Sequence, residues 1–408
     1  MLSTFLSQLQ SYFSKYFVIG SFCPMLCFVF VNGATGYVVS ARWRAWVNAN
    51  ILNLGLGRGA FVVTSLTISV VLLAYVLSSL STFLRQLLEG RWWWEILAKR
   101  FVAIQKQHRE ALLDSRNEAF ANLTDLREMP QWRKDLIAAR NEGIKKNPNL
   151  KLGPPAPDAY DKQLADFEDS EIQNKVIPAE KLQKAVEDLS ALLKTHNVDE
   201  DTYLDKHQQR LLEVLKYAND RAQAEYSKLL NELHTSFGGN EIEPTKMGNI
   251  ANTIQSYALR RYQCNLEAIW SNLQRVVQRD EKANAALQES KTQLDFLVAC
   301  SWLTLAWSAI WTIVFSIIVP SRIGFFGAAL GGPAISYLWY RVAAEQYRSF
   351  ADVSMTTLDS FRFALLEEMR LATPYDVENE RYVWQSLDQL TTYQEQKNFR
   401  YIKPASQQ

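Results

Sequence analysis

Residues able to do chemistry are sparse along this chain of 408 residues. The four histidines, His108, His196, His207 and His234, stand far apart, and none forms a two-ligand spacing with another His or a Cys, so no metal site is expected. No Gly-x-Ser-x-Gly elbow, His-Glu-x-x-His pair or phosphate-cradling loop occurs. Gly55, Gly57 and Gly59 neither follow a strand nor lead to the Lys-Ser/Thr that such a loop needs. The expectation is a protein that is not an enzyme, with no catalytic residue and no cofactor. The acidic group Asp166, Glu168, Asp169 and Glu171 has the charge to hold a cation, but it lacks the glycine turn of a hard-cation loop and reads as a solvated face.

One candidate binding motif remains. Pro244-Thr245-Lys246-Met247-Gly248-Asn249 has the form of a helix start with Thr245 as N-cap. It reads in two ways: a cap with a close backbone approach at Gly248, or an anion site in which the helix N-terminus and Lys246 hold the ligand. In the second reading Asn249 joins the set, and Arg260 and Arg261 follow about three turns further on.

The elements that must position these residues are set by where charge is missing. Lys and Arg number 44 against 43 Asp and Glu, a near balance that gives no argument for nucleic acid as a partner. Yet Tyr16–Ala41, Gly59–Leu84, Phe296–Ser321 and Ile323–Tyr340 contain no charged residue at all. Each window meets the roughly 17–25 residues that cross ~30 Å of hydrocarbon as a helix. The expected fold is therefore all-α: four transmembrane helices, extended into a cytoplasmic helical stalk and a helical insert domain, with the lipid bilayer as a partner. Residues 1–88 hold an interfacial helix over Met1–Lys15 and the first two spans; 89–295 form the helical, coiled-coil-like insert; 296–342 hold the last two spans; 343–408 form a helical tail. The first span is expected to be retained rather than cleaved, because it is too long for a signal segment and ends in no small-residue cleavage site. Positive residues near the spans, among them Lys15, Arg85, Arg91, Lys291 and Arg348, favour an inner membrane with both termini cytoplasmic, although Arg42, Arg44 and Arg58 oppose them.

Inside the spans, Thr304, Ser308, Thr312 and Ser316 follow each other four residues apart as one hydroxyl stripe, which suits helix packing or a pore face. Gly327-x-x-x-Gly331 has the small-residue spacing of a close crossing, and Pro333 frees a backbone carbonyl, giving a packed kink or a gating hinge. Trp92, Trp93 and Trp94 form an interfacial anchor. The spans carry no ionisable group, which disfavours a proton-coupled pump or voltage sensor. In the insert, Leu266, Leu273, Leu287 and Leu294 keep a seven-residue spacing, with Ile269, Val276 and Ala283 between them and Asp280 as an interruption. The stretch Asn249–Val319 is too long for one straight helix in a compact body, so it either forms a long stalk or breaks, near Arg261–Cys264. Cys23, Cys27, Cys264 and Cys300 offer no disulfide framework.

Several pieces together resemble an uncharacterised family of bacterial multi-pass membrane proteins: Phe22-x-Pro24, Leu84-Arg85-x-Leu87-Leu88-Glu89-Gly90-x-Trp92, Pro244-Thr245-x-x-Gly248-Asn249 with Arg261-Tyr262 and Trp270, and Glu378-x-Glu380-Arg381 with Trp384. The resemblance implies a membrane architecture and transfers no activity or site residue. The functional expectation is an oligomeric channel or pore-type effector gated by its cytoplasmic helices, compatible with bacterial defence or stress. The alternative is a non-conducting scaffold or receptor that recruits a cytoplasmic protein or binds a small ligand.

Overall fold

The structure is a computed structural model that describes residues 13–49, 56–126, 165–167, 169–170, 173, 175–195, 201–239, 241–318 and 321–393. The described residues are helical and contain no strand. Most of Met1–Lys15, the Pro-rich stretch Asn147–Asp161, Glu168 and Glu171 of the acidic group, and the last residues of the tail lie outside them.

Among the described residues three helices are long and apolar enough to cross a membrane: α1 (Lys15–Val39), the Thr64–Glu89 part of α3 (Leu56–Glu89), and α9 (Glu281–Ile318). Between the first two, α2 (Ala41–Val47) is capped by Ser40 and folds Trp43 back so that its indole donates to the Gly33 carbonyl at 3.2 Å. The fourth charge-free window lies in α10, residues 322–368, which is built from Arg322–Phe326, a wide π turn at Gly327–Gly331, and Gly332–Glu368. A π turn at Val18–Phe22 likewise precedes Pro24 in α1. Both prolines lack the N–H that would bond to the fourth residue before them, Gly20 or Ala329, and the widened turn makes room for the ring at that carbonyl.

The chain forms two compact units, Met1–Lys106 with Thr235–Gln408, and Gln107–His234. The compact part of the expected insert is thus shorter than 89–295. This smaller unit packs the second half of α4 (Glu95–Leu126) with α5 (Ala179–Thr195) and α6 (Asp201–Phe237) around Leu126, Leu182, Leu211 and Leu215. Asn122 accepts a hydrogen bond from the Ala179 N–H at 2.6 Å and so satisfies one orphan donor at the start of α5.

In the larger unit the expected long helix breaks twice. Helix α7 (Lys246–Tyr262) ends at Gln263, whose φ of 57° turns the chain out of the helix, and Asn265 caps α8 (Leu266–Val277). The second break is at Gln278–Asp280, where Asp280 accepts from the Ala283 N–H at 3.0 Å and caps α9. The heptad residues Leu266, Ile269, Leu273, Val276, Leu287 and Leu294 are all buried, in one core with Ala343, Tyr347, Ala351 and Leu358 of α10. That seam is covered by the chain itself. The tail helix α11 (Val377–Tyr393) adds Trp384 and Leu387 to the same core.

Candidate functional site

The second and third pieces of the resemblance, Leu84–Trp92 and Pro244–Asn249, meet in space. Helix α3 ends at Glu89, and Gly90, with a φ of +86°, turns the chain away in a conformation that glycine adopts without a steric penalty. A Cβ at Gly90 would lie 3.2 Å from Pro244 and from Thr245. A Cβ at Gly248 would lie 2.2 Å from the Glu89 carbonyl oxygen, so only glycine permits this approach. Thr245 accepts from the Gly248 N–H at 3.0 Å, as an N-cap does. Asn249 holds the preceding loop, accepting from the Glu243 N–H at 2.7 Å and donating to the Glu243 carbonyl and to Gln105, each at 3.3 Å.

Glu89 is 2% exposed, and a carboxylate that far from water must be compensated. Three groups converge on it. Tyr347 of α10 donates its hydroxyl at 2.7 Å, Arg91 pairs through Nε at 2.9 Å, and Arg85, one turn earlier on α3, approaches at 3.5 Å. Burial first, and the Glu89 charge second, push the Tyr347 hydroxyl far above the ordinary tyrosine range, so it stays a donor. For Arg91, burial acts downward, but Glu89 and Glu267 outweigh it and the net shift is upward. The same Arg91 reaches Glu267 at 3.4 Å, and Lys291 on α9 pairs with Asp295 at 3.3 Å.

These groups border a cleft of about 250 Å³, lined by Arg85, Glu89, Arg91, Glu267 and Lys291 on its polar side and by Ile254, Leu266, Trp270 and Phe350 on its apolar side. It combines guanidinium and ammonium donors with an aromatic wall, the make-up of a small-ligand site.

Of the sequence candidates for anion binding, Thr245, Gly248 and Asn249 form the joint between α3 and α7, and Lys246 pairs with Glu345 at 2.8 Å. Arg260 bonds the Ser256 carbonyl at 3.3 Å, and Arg261 lies over the Tyr257 and Tyr262 rings, 3.9 Å from Asp359. They sit at the far end of the 17-residue α7, roughly 20 Å along its axis, so the six residues are not one site. The residues that do converge, Arg85, Glu89, Arg91, Lys291, Trp270 and Tyr347, have a weak local signal: Glu89 is the first acidic residue after the second charge-free window and has arginines on both sides. Among the described residues no group of three or more His, Cys, Asp or Glu is placed to hold a metal.

The hydroxyl stripe divides. Ser308 is buried and donates to the Ala328 carbonyl at 2.7 Å, while Thr304 and Ser316 donate to their own helix at Cys300 and Thr312. Thr312 is half-buried and Ser316 exposed. The contact between α9 and α10 uses every seventh residue of α9: Ser301 exchanges hydrogen bonds with Ser336, Ser308 meets Ala328 and Gly332, and Phe315 meets Gly324. The small residues at this crossing are thus Gly324, Ala328 and Gly332. The Cβ positions of Gly327 and Gly331 meet nothing within 4 Å, so the expected glycine pair is one residue out of phase with the contact inside the chain. Pro333 is exposed beside Gly332.

Trp92 and Trp94 are 61% and 81% exposed, while Trp93 donates to the Leu87 carbonyl at 2.9 Å and packs edge-on against Phe101. Exposed Ile96, Leu97 and Ile104 continue that apolar surface along α4. No protein-family model, no curated protein and no solved structure matches this chain.

Proposed function

We propose that this chain is a four-span helical protein of a bacterial inner membrane, with cytoplasmic termini, that acts as a membrane receptor. In this reading the cleft beside Glu89 receives a ligand, and the α9–α10 hairpin carries the response to the spans. The observation that supports it is continuity of one seam. Leu287 and Leu294 pack among α10 residues in the polar half of the hairpin, and Ser301, Ser308 and Phe315 continue the same seven-residue spacing through the charge-free half. No flexible linker separates the two halves within α9, which runs from Glu281 to Ile318. The family resemblance fits, since Arg85, Glu89, Gly90, Thr245, Gly248 and Asn249, which carry it, belong to one joint.

The receptor reading is preferred to a pore lined by the hydroxyl stripe because Ser308, at the stripe's centre, is bonded to Ala328 within the chain. A conducting homo-oligomer is the second reading. It draws on the uncovered faces of Gly327 and Gly331, which leave room for a second copy to pack closely. Two experiments separate the possibilities. A reporter fused after Gln408 or inserted near Pro155 should be cytoplasmic and one near Asn53 should not; both of the first two appearing outside overturns the topology. Liposomes containing the purified protein should show no ion flux with or without cytoplasmic extract, and flux that a thiol reagent blocks in Ser316→Cys establishes the pore instead.

A further inference from the structure

The donors around Glu89 outnumber what it can take. We propose that the cleft binds a phosphate ester, its phosphoryl oxygens held by Arg85, Arg91 and Lys291 and its apolar or planar part laid against Trp270 and Phe350. The inference rests on the reading of this cleft as the ligand site, and it names the ligand's chemistry.

Only one carboxylate here is buried, and Glu89 already meets Tyr347, Arg91 and Arg85. A guanidinium carries five N–H donors in a planar fork, so two guanidiniums sharing one carboxylate keep donors over. The Arg85 Nε is buried and makes no hydrogen bond, its 3.5 Å approach to Glu89 being ionic only. The other acid at the rim, Glu267, has a side chain 63% exposed and is solvated. Arg91 is shared with Glu267 and Lys291 with Asp295, but the buried Arg85 Nε has no hydrogen-bond acceptor, and a ligand that brings anionic oxygens supplies one. A ligand with only an amine brings no acceptor to the Arg85 Nε. Bidentate contact between guanidinium and phosphate adds geometric selection to charge. At about 250 Å³ the cleft has room for a headgroup or a small phosphate ester.

Such a group has two sources, the headgroup of an anionic phospholipid or a soluble phosphate ester. The test is calorimetric titration of the full-length protein in a non-ionic detergent with short-chain phosphatidylglycerol, glycerol 3-phosphate, AMP and choline. Binding of at least one phosphate ester and none of choline is expected. Phosphatidylglycerol alone identifies the lipid, and glycerol phosphate or AMP identifies the soluble ester. Lys291→Gln and Arg85→Gln should each weaken binding about tenfold or more, as the loss of a charge-assisted contact does. Arg85→Gln leaves Glu89 with Arg91 and Tyr347, and Lys291 lies on another helix, so a folding defect in one does not silence both. Lys246→Gln, which pairs with Glu345 and does not line the cleft, should leave affinity unchanged. Trp270→Leu should weaken the amphiphile and spare inorganic phosphate. Absence of binding by every ester, equal affinity in Lys291→Gln and Arg85→Gln, or preference for choline overturns the proposal. Topology and flux are measured separately, so a failed titration with the reporters in place removes the ligand and leaves the membrane reading standing.

Discussion

Two adjacent glycines in α10 should respond oppositely to the same substitution. Gly331→Ala and Gly332→Ala both place a methyl group in a helix, where alanine is favoured over glycine by about 0.5–1 kcal/mol. At Gly331 nothing lies within 4 Å of the new Cβ, so the gain should stand. At Gly332 the Cβ would fall 2.3 Å from the Ser308 Cβ and 2.6 Å from its Oγ. No rotamer of Ser308 removes a clash with its own Cβ, so α9 and α10 must separate. Overpacking of this kind costs about 1–3 kcal/mol. Separation also stretches the 2.7 Å bond from Ser308 to the Ala328 carbonyl, and interhelical bonds of this type in membranes average about 0.6 kcal/mol. The two variants should therefore differ by roughly 2–4 kcal/mol, with Gly332→Ala the less stable. Unfolding of the purified protein in mixed micelles by SDS titration, followed by circular dichroism, measures this. The double variant Ser308→Gly with Gly332→Ala moves the methyl from one helix to the other and should recover most of the loss. Equal stability of the two single variants, or no recovery in the double, refutes the crossing described above.

Gly248→Ala should destabilise by about 1–3 kcal/mol, because its Cβ would sit 2.2 Å from a backbone carbonyl that cannot swing aside; thermal unfolding of the variant reads the loss directly. Burial, and then the bond to Asp359 at 2.7 Å, push the Tyr257 hydroxyl up to about 12. With the folded value above the unfolded one, the contribution is intact below pH 10 and is lost as pH rises toward 12, because the unfolded chain ionises first; in Tyr257→Phe this alkaline loss should shrink. Cys264 is 2% exposed, and its thiol is pushed up to about 12 by burial and then by Asp388, so a maleimide at neutral pH should leave it unlabelled until the protein unfolds. Rapid labelling of the folded protein counts against the core as described.

What was legible in the sequence is what depends on solvation. Charge is costly in hydrocarbon, so charge-free windows stand out, and three of the four coincide with helices long and apolar enough to span. The seam from Leu266 to Leu294 was likewise readable, because heptad leucines act locally, whereas the sequence left a break near Arg261–Cys264 and an unbroken stalk as alternatives, and the turn at Gln263 decides for the break. The seam's continuation was not. Ser301, Ser308 and Phe315 keep its seven-residue spacing, but two hydroxyls and a phenyl do not register as an apolar repeat. Small residues in α10 allow two phases, Gly327 with Gly331 or Gly324 with Ala328 and Gly332, and only the position of Ser308 chooses between them. Arg85 and Arg91 read as charges flanking a span, since nothing beside them in sequence announces that Tyr347, 258 residues further on, completes the shell of Glu89.

In the receptor proposed above, that shell would supply a physical route from ligand to spans. Glu89 belongs to α3, its hydroxyl donor Tyr347 to α10, and Trp302 of α9 donates to the Leu84 carbonyl at 3.0 Å, so three helices with charge-free segments are tied within one stretch of α3. The Gly248 contact adds α7 through the Glu89 carbonyl. A phosphate ester that draws Arg85 toward itself leaves Glu89 with Arg91 and Tyr347 alone, and a buried charge with reduced compensation costs several kcal/mol if nothing moves. Relief comes from bringing Arg91 and Tyr347 closer or from letting water reach Glu89, and either one displaces α3 against α10. A ligand can shift that balance only by its difference in affinity for the two arrangements, and in the proposed site that difference would include Arg85, the cation shared between ligand and Glu89 that lies on α3 itself. In the proposed receptor Arg85 would thus couple binding to α3 through Glu89, and Lys291 would act on α9 through Asp295.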